Sequence, residues 1–279
     1  MVKWRIMRTD ELRRRLDELY RHYDHRFVTP DPLEFVRAQA DPRDREVVGL
    51  LASSLAFGTV GQIKKSIGVV QGVLGPGTAE AVLRLDPKEL GARLTGFRHR
   101  WSDGRDVACL LFFARQMIEA RGSIEGFFAE GVDPGAPDIS GALRSFAERA
   151  LALDHGGLYL GCPLPADAGV RYFFPSPADG SACKRLNLFL RWMVRRDAVD
   201  LGVWSVIRPR SLVIPLDAHI FTISRRMRLT RYKSPGWAMA ADITKRLRRL
   251  DPEDPVKYDF ALHRMGLFKK HDEIGSLRG

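Results

Sequence analysis

Apolar residues recur at helical spacing through most of this chain. After Thr9, the positions Leu12, Leu16, Leu19, Tyr20 and Tyr23 share one face, with charged residues between them; this predicts an amphipathic helix. Proline-led starts follow at Asp31-Pro32, Asp41-Pro42, Asp86-Pro87, Ser234-Pro235 and Asp254-Pro255. Each puts a capping side chain before a proline at the first helical position, where its missing N–H is not needed. After Asp86, Glu89 stands where a capping box requires it. Strict alternation is scarce: 211–215 is the one tempting strand, and it is short. The pattern predicts an all-α protein.

Between 154 and 180 the helical pattern breaks. Gly156, Gly157, Pro163, Pro165, Pro175 and Pro177 punctuate the stretch. A connection this long in a compact domain is usually functional or mobile. It leads into 177–219, around which the chain is organised. A Pro177-Ala178-Asp179-Gly180 turn enters a helix with Lys184 in its first turn. The stretch closes on Asp217, between Pro215 and His219, at the start of another helix.

With Ser181 as the cap, Lys184 is the third helical residue. Helix starts prefer an acid there, because the macrodipole is positive at that end. The same field pushes a lysine amine below its usual pKa of about 10.4, and a less protonated amine is a better nucleophile. By position alone, a surface lysine packing its stem on the turn is the simpler reading. Asp217 suits an N-cap. A capping carboxylate can also stabilise positive charge at a sugar or relay a proton. His219 reads as a structural or supporting histidine rather than a base.

Composition narrows the partners. The chain has 279 residues, 45% hydrophobic and 28% charged, enough for one large domain or two lobes. Lys and Arg outnumber Asp and Glu by 45 to 34, a net charge of +11. That fits a polyanionic partner or an inert basic surface. Many of the cations fall late, among them Arg195, Arg196, Arg208, Arg210, Arg225, Arg226, Arg228, Arg231 and Lys233. The three cysteines, Cys109, Cys162 and Cys183, match no zinc or iron–sulfur spacing. No metal and no cofactor is expected, and so sparse a set fits a reducing cytoplasm. The N-terminal MVKWRIMRTDEL has no apolar core of a leader, and no window approaches a membrane span.

Other motifs are weaker. Ser181-Ala182-Cys183-Lys184 matches S-x-x-K, but the S-D-N and K-T-G partners of that motif are missing. Cys183 lacks an evident base. The segment 53–62, SSLAFGTVGQ, lies between two helical patterns. It is either a tight turn with Phe57 in the core or a place from which Phe57 or Gln62 enters a base stack. Phe97-Arg98-His99-Arg100-Trp101 and Tyr172-Phe173-Phe174 mix aromatics that stack bases or fill cores.

The turn, the Lys184 helix and the I-P-x-D-x-H segment resemble the helix-hairpin-helix DNA glycosylases. In that superfamily a lysine beside the hairpin attacks the sugar, and an aspartate in a V/I-P-x-D segment assists. The 33-residue separation of Lys184 and Asp217 is most similar to the archaeal 8-oxoguanine branch. The familiar hairpin is P-G-x-G-x-K; here the first Gly is missing, and Lys184 stands seven residues after Pro177 rather than five. Two residues turn a helix by about 200°, so either the hairpin is remodelled or the amine points elsewhere. The wording of the whole chain (LLASSLAFGTVGQI, SACKRLNLFLRWMVR, DPEDPVKYDFAL) also resembles a family of bacterial conserved hypothetical proteins without an assigned activity.

The resemblance implies a two-lobed helical fold, with 41–198 forming the lobe that carries the hairpin and Lys184. Residues 1–40 plus 199–279 would form a discontinuous second lobe carrying Asp217. It implies a monomeric, cytoplasmic, nucleoid-associated DNA glycosylase with lyase activity. Its partner would be duplex DNA holding an oxidised purine, without an iron–sulfur cluster. Lys184 and Asp217 would be catalytic. Phe57, Gln62, Gly180, Ser181, Arg185 and His219 would touch DNA, and Phe174, Trp192, Asp259 and Phe260 would form the base pocket. The alternatives are a monofunctional glycosylase, a non-catalytic DNA- or RNA-binding protein on the same scaffold, and an RNA-modification enzyme.

Overall fold

Helices hold nearly all the regular structure in the computed structural model, which describes residues 8–267. Residues 1–7, the start of the N-terminal stretch discussed above, and 268–279 lie outside the described residues. α1 (Thr9–His22) buries Leu16 and Leu19, with Tyr23 buried just past its end, on the face that the spacing predicts. α2 (Leu33–Arg37) starts one residue later than an Asp31 cap would place it. Pro32 takes the cap position, and the Asp31 carboxylate accepts from Leu33 N–H. α3 (Pro42–Ser54) begins as expected, with Asp41 capping and Pro42 in the first turn. α4 (Val60–Leu74) follows a Thr59 cap and precedes α5 (Thr78–Arg84).

α6 (Pro87–Arg93) is capped by Asp86, but Glu89 pairs outward with Arg93 instead of completing a box. A two-residue ribbon follows, β1 (Arg98–His99) antiparallel to β2 (Ser102–Asp103). The reciprocal capping box is at α7 (Gly104–Arg121), where Asp103 and Asp106 each accept the other's backbone N–H. α8 (Ile124–Ala129) and α9 (Ser140–Leu151) lead into the irregular stretch, which contains 3-10 turns at Gly169–Phe173 and Pro177–Asp179.

α10 (Lys184–Val194), α11 (Ala218–Arg226), α12 (Trp237–Arg248) and α13 (Asp259–Leu267) complete the helices of the described residues. Two of the proline-led starts are displaced. Gly236, not Ser234, precedes α12, and Pro255 opens a turn before α13. Both segments first make a tertiary contact. Trp237 N–H donates to Gly180 O at 3.0 Å. Lys257 Nζ pairs with Asp251 at 2.7 Å and with Asp17 at 3.1 Å. The stretch 211–215 is not a strand. Its buried backbone is satisfied by a helix and a side chain: Ser211 O accepts from Ile139 N–H, and Ile214 N–H donates to Thr244 Oγ1.

α3 packs against α2 and α10, α7 against α6 and α8, and α13 against both α11 and α1. The N-terminal segment therefore returns to the C-terminal helices. Tyr258 O–H donates to Asp17, and Arg264 donates to Val28 O and pairs with Asp31. A buried ion network runs beside this contact. Arg191 on α10 and Arg195, just past its end, both hold Asp200; Arg195 also pairs with Asp197 and Asp254, and Arg191 with Asp259. Arg195 thus belongs to the interior rather than to the basic surface that the late cluster suggests.

Candidate active site

The starts of α10 and α11, the face of α13 and the segments after α1 and α3 enclose a cavity of about 430 Å³. Lys184, Asp217, His219, Asp259 and Phe260 all line it. Lys184 is the first residue of α10 rather than the third. Ser181 is not the cap: its Oγ accepts from Cys183 N–H at 3.2 Å. Cys183 holds the cap position in the left-handed conformation, φ 47° and ψ 35°, at a cost of about 1–2 kcal/mol for a residue with a Cβ. The preceding 3-10 turn closes on Gly180, φ 73°. Residues 181–183 are not helical, so the extra residues after Pro177 lengthen the turn rather than rotate the helix. The Lys184 side chain faces the cavity.

The Lys184 amine donates to Ala56 O at 2.8 Å, just past the end of α3. Burial dominates its electrostatics and pushes its pKa below the ordinary lysine value. Asp217, Asp31 and Asp259 act in the opposite direction, and Arg185 adds to the lowering. Asp217 caps α11 as expected, its Oδ1 accepting from Ile220 N–H at 2.8 Å. Its Oδ2 lies 3.2 Å from His263 Nε2. Burial alone would raise the Asp217 pKa. His263, the Lys184 charge and the Ile220 N–H outweigh it and hold the carboxyl well below the usual carboxylate range. Among the described residues no ion pair joins Lys184 to Asp217 directly, so the two act on each other through the field of the cavity.

Asp259 is buried and paired with Arg191 through Oδ2, while Oδ1 has no hydrogen-bond partner among the described residues. Burial raises its pKa, against the opposing pull of Arg191. Phe260 lies beside it, with the Arg264 guanidinium 4.7 Å from its ring centre. His219 meets His263 edge-on at 5.1 Å.

His263, Arg191, Asp31 and Arg264 also line the cavity and are not among the site residues expected from the sequence, where Asp31 reads only as a helix cap. A signal exists for two of them. His263 is four residues after Asp259, on the same helical face, and Arg191 is seven after Lys184, two turns along the same stripe.

Several expected contacts fall elsewhere. Trp192 is fully buried and does not line the cavity. It is one position past Arg191, which turns it about 100° away from that stripe. Phe174 packs in the core between Phe113 and Phe146, each 5.9 Å away. Arg185 is only 8% exposed. It donates to Tyr172 O and Ser54 O, and its guanidinium lies 3.7 Å from the Tyr172 ring centre. It is spent on the fold rather than offered to a phosphate. Gly180 is exposed, but its N–H is bonded to Pro177 O and its carbonyl to Trp237 N–H. Ser181 is half-buried and Gln62 is exposed in the first turn of α4. Phe57 is half-buried and braced by His99, Trp101 and Tyr172 at 4.5, 4.9 and 5.3 Å. It forms a wall of the cavity and does not project freely.

Burial pushes the Cys183 thiol up to about 12, which leaves almost no thiolate for nucleophilic attack. Among the described residues no group of three or more His, Cys, Asp or Glu is placed to hold a metal ion, and no helix is long and apolar enough to cross a membrane. The model of a family described as "Protein of unknown function (DUF2400)" matches residues 31–268, a span that holds Lys184, Asp217, Asp259 and His263. No curated protein and no solved structure matches the chain.

Proposed function

We propose that this chain, which belongs to the DUF2400 family, is a base-excision DNA glycosylase with lyase activity, on a two-lobed helix-hairpin-helix scaffold whose hairpin is remodelled. The observation that carries the reading is the shared cavity: a lysine amine disfavoured as ammonium and an ionised carboxylate line the same space. Those are the two groups needed to cut a base from a sugar through a covalent step. The cavity is lined from both proposed lobes, by Lys184 and Phe57 of 41–198 and by Asp31, Asp217 and Asp259 of the other.

In this reading a damaged nucleotide turns out of the duplex into the cavity. Lys184 gives up its ammonium proton, and its lone pair attacks C1′. The C1′–N bond breaks with its electron pair on the base, which takes up a proton and leaves. Asp217 stabilises the positive charge that develops at C1′. The nitrogen lone pair then expels O4′ from C1′; the oxygen takes up a proton as the sugar ring opens, and an iminium remains. This loses a C2′ proton, and the C3′–O bond breaks with its electron pair on the departing 3′ phosphate. Asp259 Oδ1, buried without a partner, is an acceptor for a base N–H, and Phe260 offers an adjacent ring. The lead substrate is an oxidised purine, 8-oxoguanine first, on the strength of the Lys-to-Asp layout. Exposed Arg225, Arg226, Arg228, Arg231 and Lys233 supply positive charge toward the phosphates.

One contact favours a second reading. The bond from Lys184 Nζ to Ala56 O also suits a lysine that only fastens α10 to the end of α3, in a non-catalytic nucleic-acid binder. Borohydride separates the two. With an 8-oxoguanine duplex, the wild-type protein should give a covalent adduct that survives denaturing gels and maps to Lys184, because the reagent reduces an imine to a stable amine. Lys184→Gln should bind DNA and trap nothing. Equal trapping by Lys184→Gln would move the nucleophile to another amine. Base release without trapping would make the enzyme monofunctional, with water as nucleophile. No release from a broad panel of damaged bases would leave the binder.

A further inference from the structure

Phe57 also lines a second cavity, of about 470 Å³, which shares Ala56, Phe57 and Lys184 with the first. Beside it stands an aromatic group that the fold leaves open. Phe57 stacks on Trp101 at 4.9 Å with 22° between the planes, and Tyr172 meets both edge-on, at 5.3 and 5.0 Å. Trp101 is 52% exposed and Tyr172 40%, whereas Trp192 and Trp204 are buried. Trp101 sits in the turn between β1 and β2, after Arg100 in the left-handed conformation, φ 55°. Neither the strained residue nor the open indole adds to the stability of a core.

The surroundings say what such a face receives. The Arg100 guanidinium lies 5.2 Å from the Trp101 ring centre. Arg98 and Arg100 are both exposed on the ribbon, in a chain of net charge +11. A flat aromatic face flanked by cations fits a nucleobase and its phosphate, and stacking on it is tolerant of base identity.

We infer that Trp101, braced by Phe57 and Tyr172, stacks a nucleobase that loses its own partner or stacking neighbour when the adjacent nucleotide enters the Lys184 cavity. The identity of that neighbouring nucleotide rests on the glycosylase reading; the stacking rests on the aromatic geometry. Two bases share the required chemistry: the one left opposite the displaced nucleotide and the one flanking it in the same strand.

The full-length protein is titrated into a duplex carrying a tetrahydrofuran abasic-site analogue, with affinity and indole emission followed together. Trp101→Ala should weaken binding about five- to a hundred-fold. The salt slope should not change, because no phosphate contact is lost. Trp101→Phe should bind nearly as wild type while losing the emission quench that stacking produces. A second analogue placed opposite the first removes the orphan base. A penalty that then vanishes assigns the stacked base to the opposite strand, and one that persists assigns it to the flanking position; either supports the inference. Equal affinity of wild type and Trp101→Ala on both duplexes overturns it, as does a loss confined to the salt slope or a wild type that binds neither duplex. None of these duplexes is cut. A protein that binds through Trp101 but releases no damaged base leaves this inference standing and overturns the glycosylase reading.

Discussion

Asp217 on α11 and His263 on α13 meet at 3.2 Å, Oδ2 to Nε2. The other carboxylate oxygen is held by Ile220 N–H, so the group is fixed from two helices. A carboxylate locked in this way is already arranged for charge that forms beside it, with little reorganisation left to make. The contact also ties the start of α11 to the helix that carries Asp259.

Asp217→Asn keeps an oxygen for the Ile220 N–H, and Asn caps helices about as well as Asp. The variant should still fold, with a lower melting temperature because the stabilisation of the ionised carboxylate by His263 and Lys184 is lost, while excision falls by roughly 10²–10⁴-fold. Single-turnover kinetics on a damaged duplex, beside thermal unfolding, would check this. Undiminished excision by the folded variant would remove Asp217 from the chemistry.

In the proposed reaction His263 acts through Asp217, which it contacts at 3.2 Å, as a positioning residue. His263→Ala should lower the excision rate by about ten-fold or more, since catalytic geometry is sensitive to small displacements. His263→Gln, which keeps a side-chain donor, should recover most of the loss. If Gln and Ala variants are equally slow while both remain folded, the hydrogen bond is not what the site needs.

Lys184 makes a prediction about stability and pH. Burial lowers its folded pKa below the ordinary 10.5. Between the folded and unfolded values the unfolded chain holds the extra proton, so this lysine's contribution to stability rises with pH across that window. Wild-type stability minus that of Lys184→Met should therefore increase as pH climbs toward 10.5 and level off above it. Using the difference cancels Tyr20, whose raised pKa of about 12 works in the opposite sense above the ordinary tyrosine value. Denaturant unfolding at stepped alkaline pH reads it directly; a flat or falling difference would contradict the burial argument.

Arg191 holds two buried carboxylates, Asp200 and Asp259. Arg191→Met should destabilise the fold by roughly 3–5 kcal/mol, because it strands Asp259 away from water and leaves Asp200 to Arg195 alone. Adding Asp259→Asn should recover part of the loss. A single variant within about 0.5 kcal/mol of wild type would mean that the network is wetter than its burial implies.

Local pattern alone determined a good deal of this protein. The helical face of α1, the Asp41 and Asp86 starts and the Asp217 cap follow from spacing and from one side chain meeting its own backbone. Lys184 at the head of α10 belongs with them, as does the irregular stretch before it. These are interactions across three or four residues, and a sequence records them directly. Ser234 and Pro255 mislead for the same reason: their local preference is real, but Trp237 bonded to Gly180 and Lys257 held by Asp17 and Asp251 override it.

What only the tertiary structure decided is which of these ends meet. Lys184 reaches Ala56 across 128 residues, and Asp217 finds His263 only because α11 packs on α13. Arg185 and Trp192 look as available in the sequence as Lys184, yet the packing around α10 buries both. Trp101 shows the converse: an aromatic that composition would assign to a core is left open by a two-residue ribbon. Burial is a property of the whole packing, and it decides which amine has its pKa lowered, which guanidinium is spent on carbonyls and which ring stays exposed.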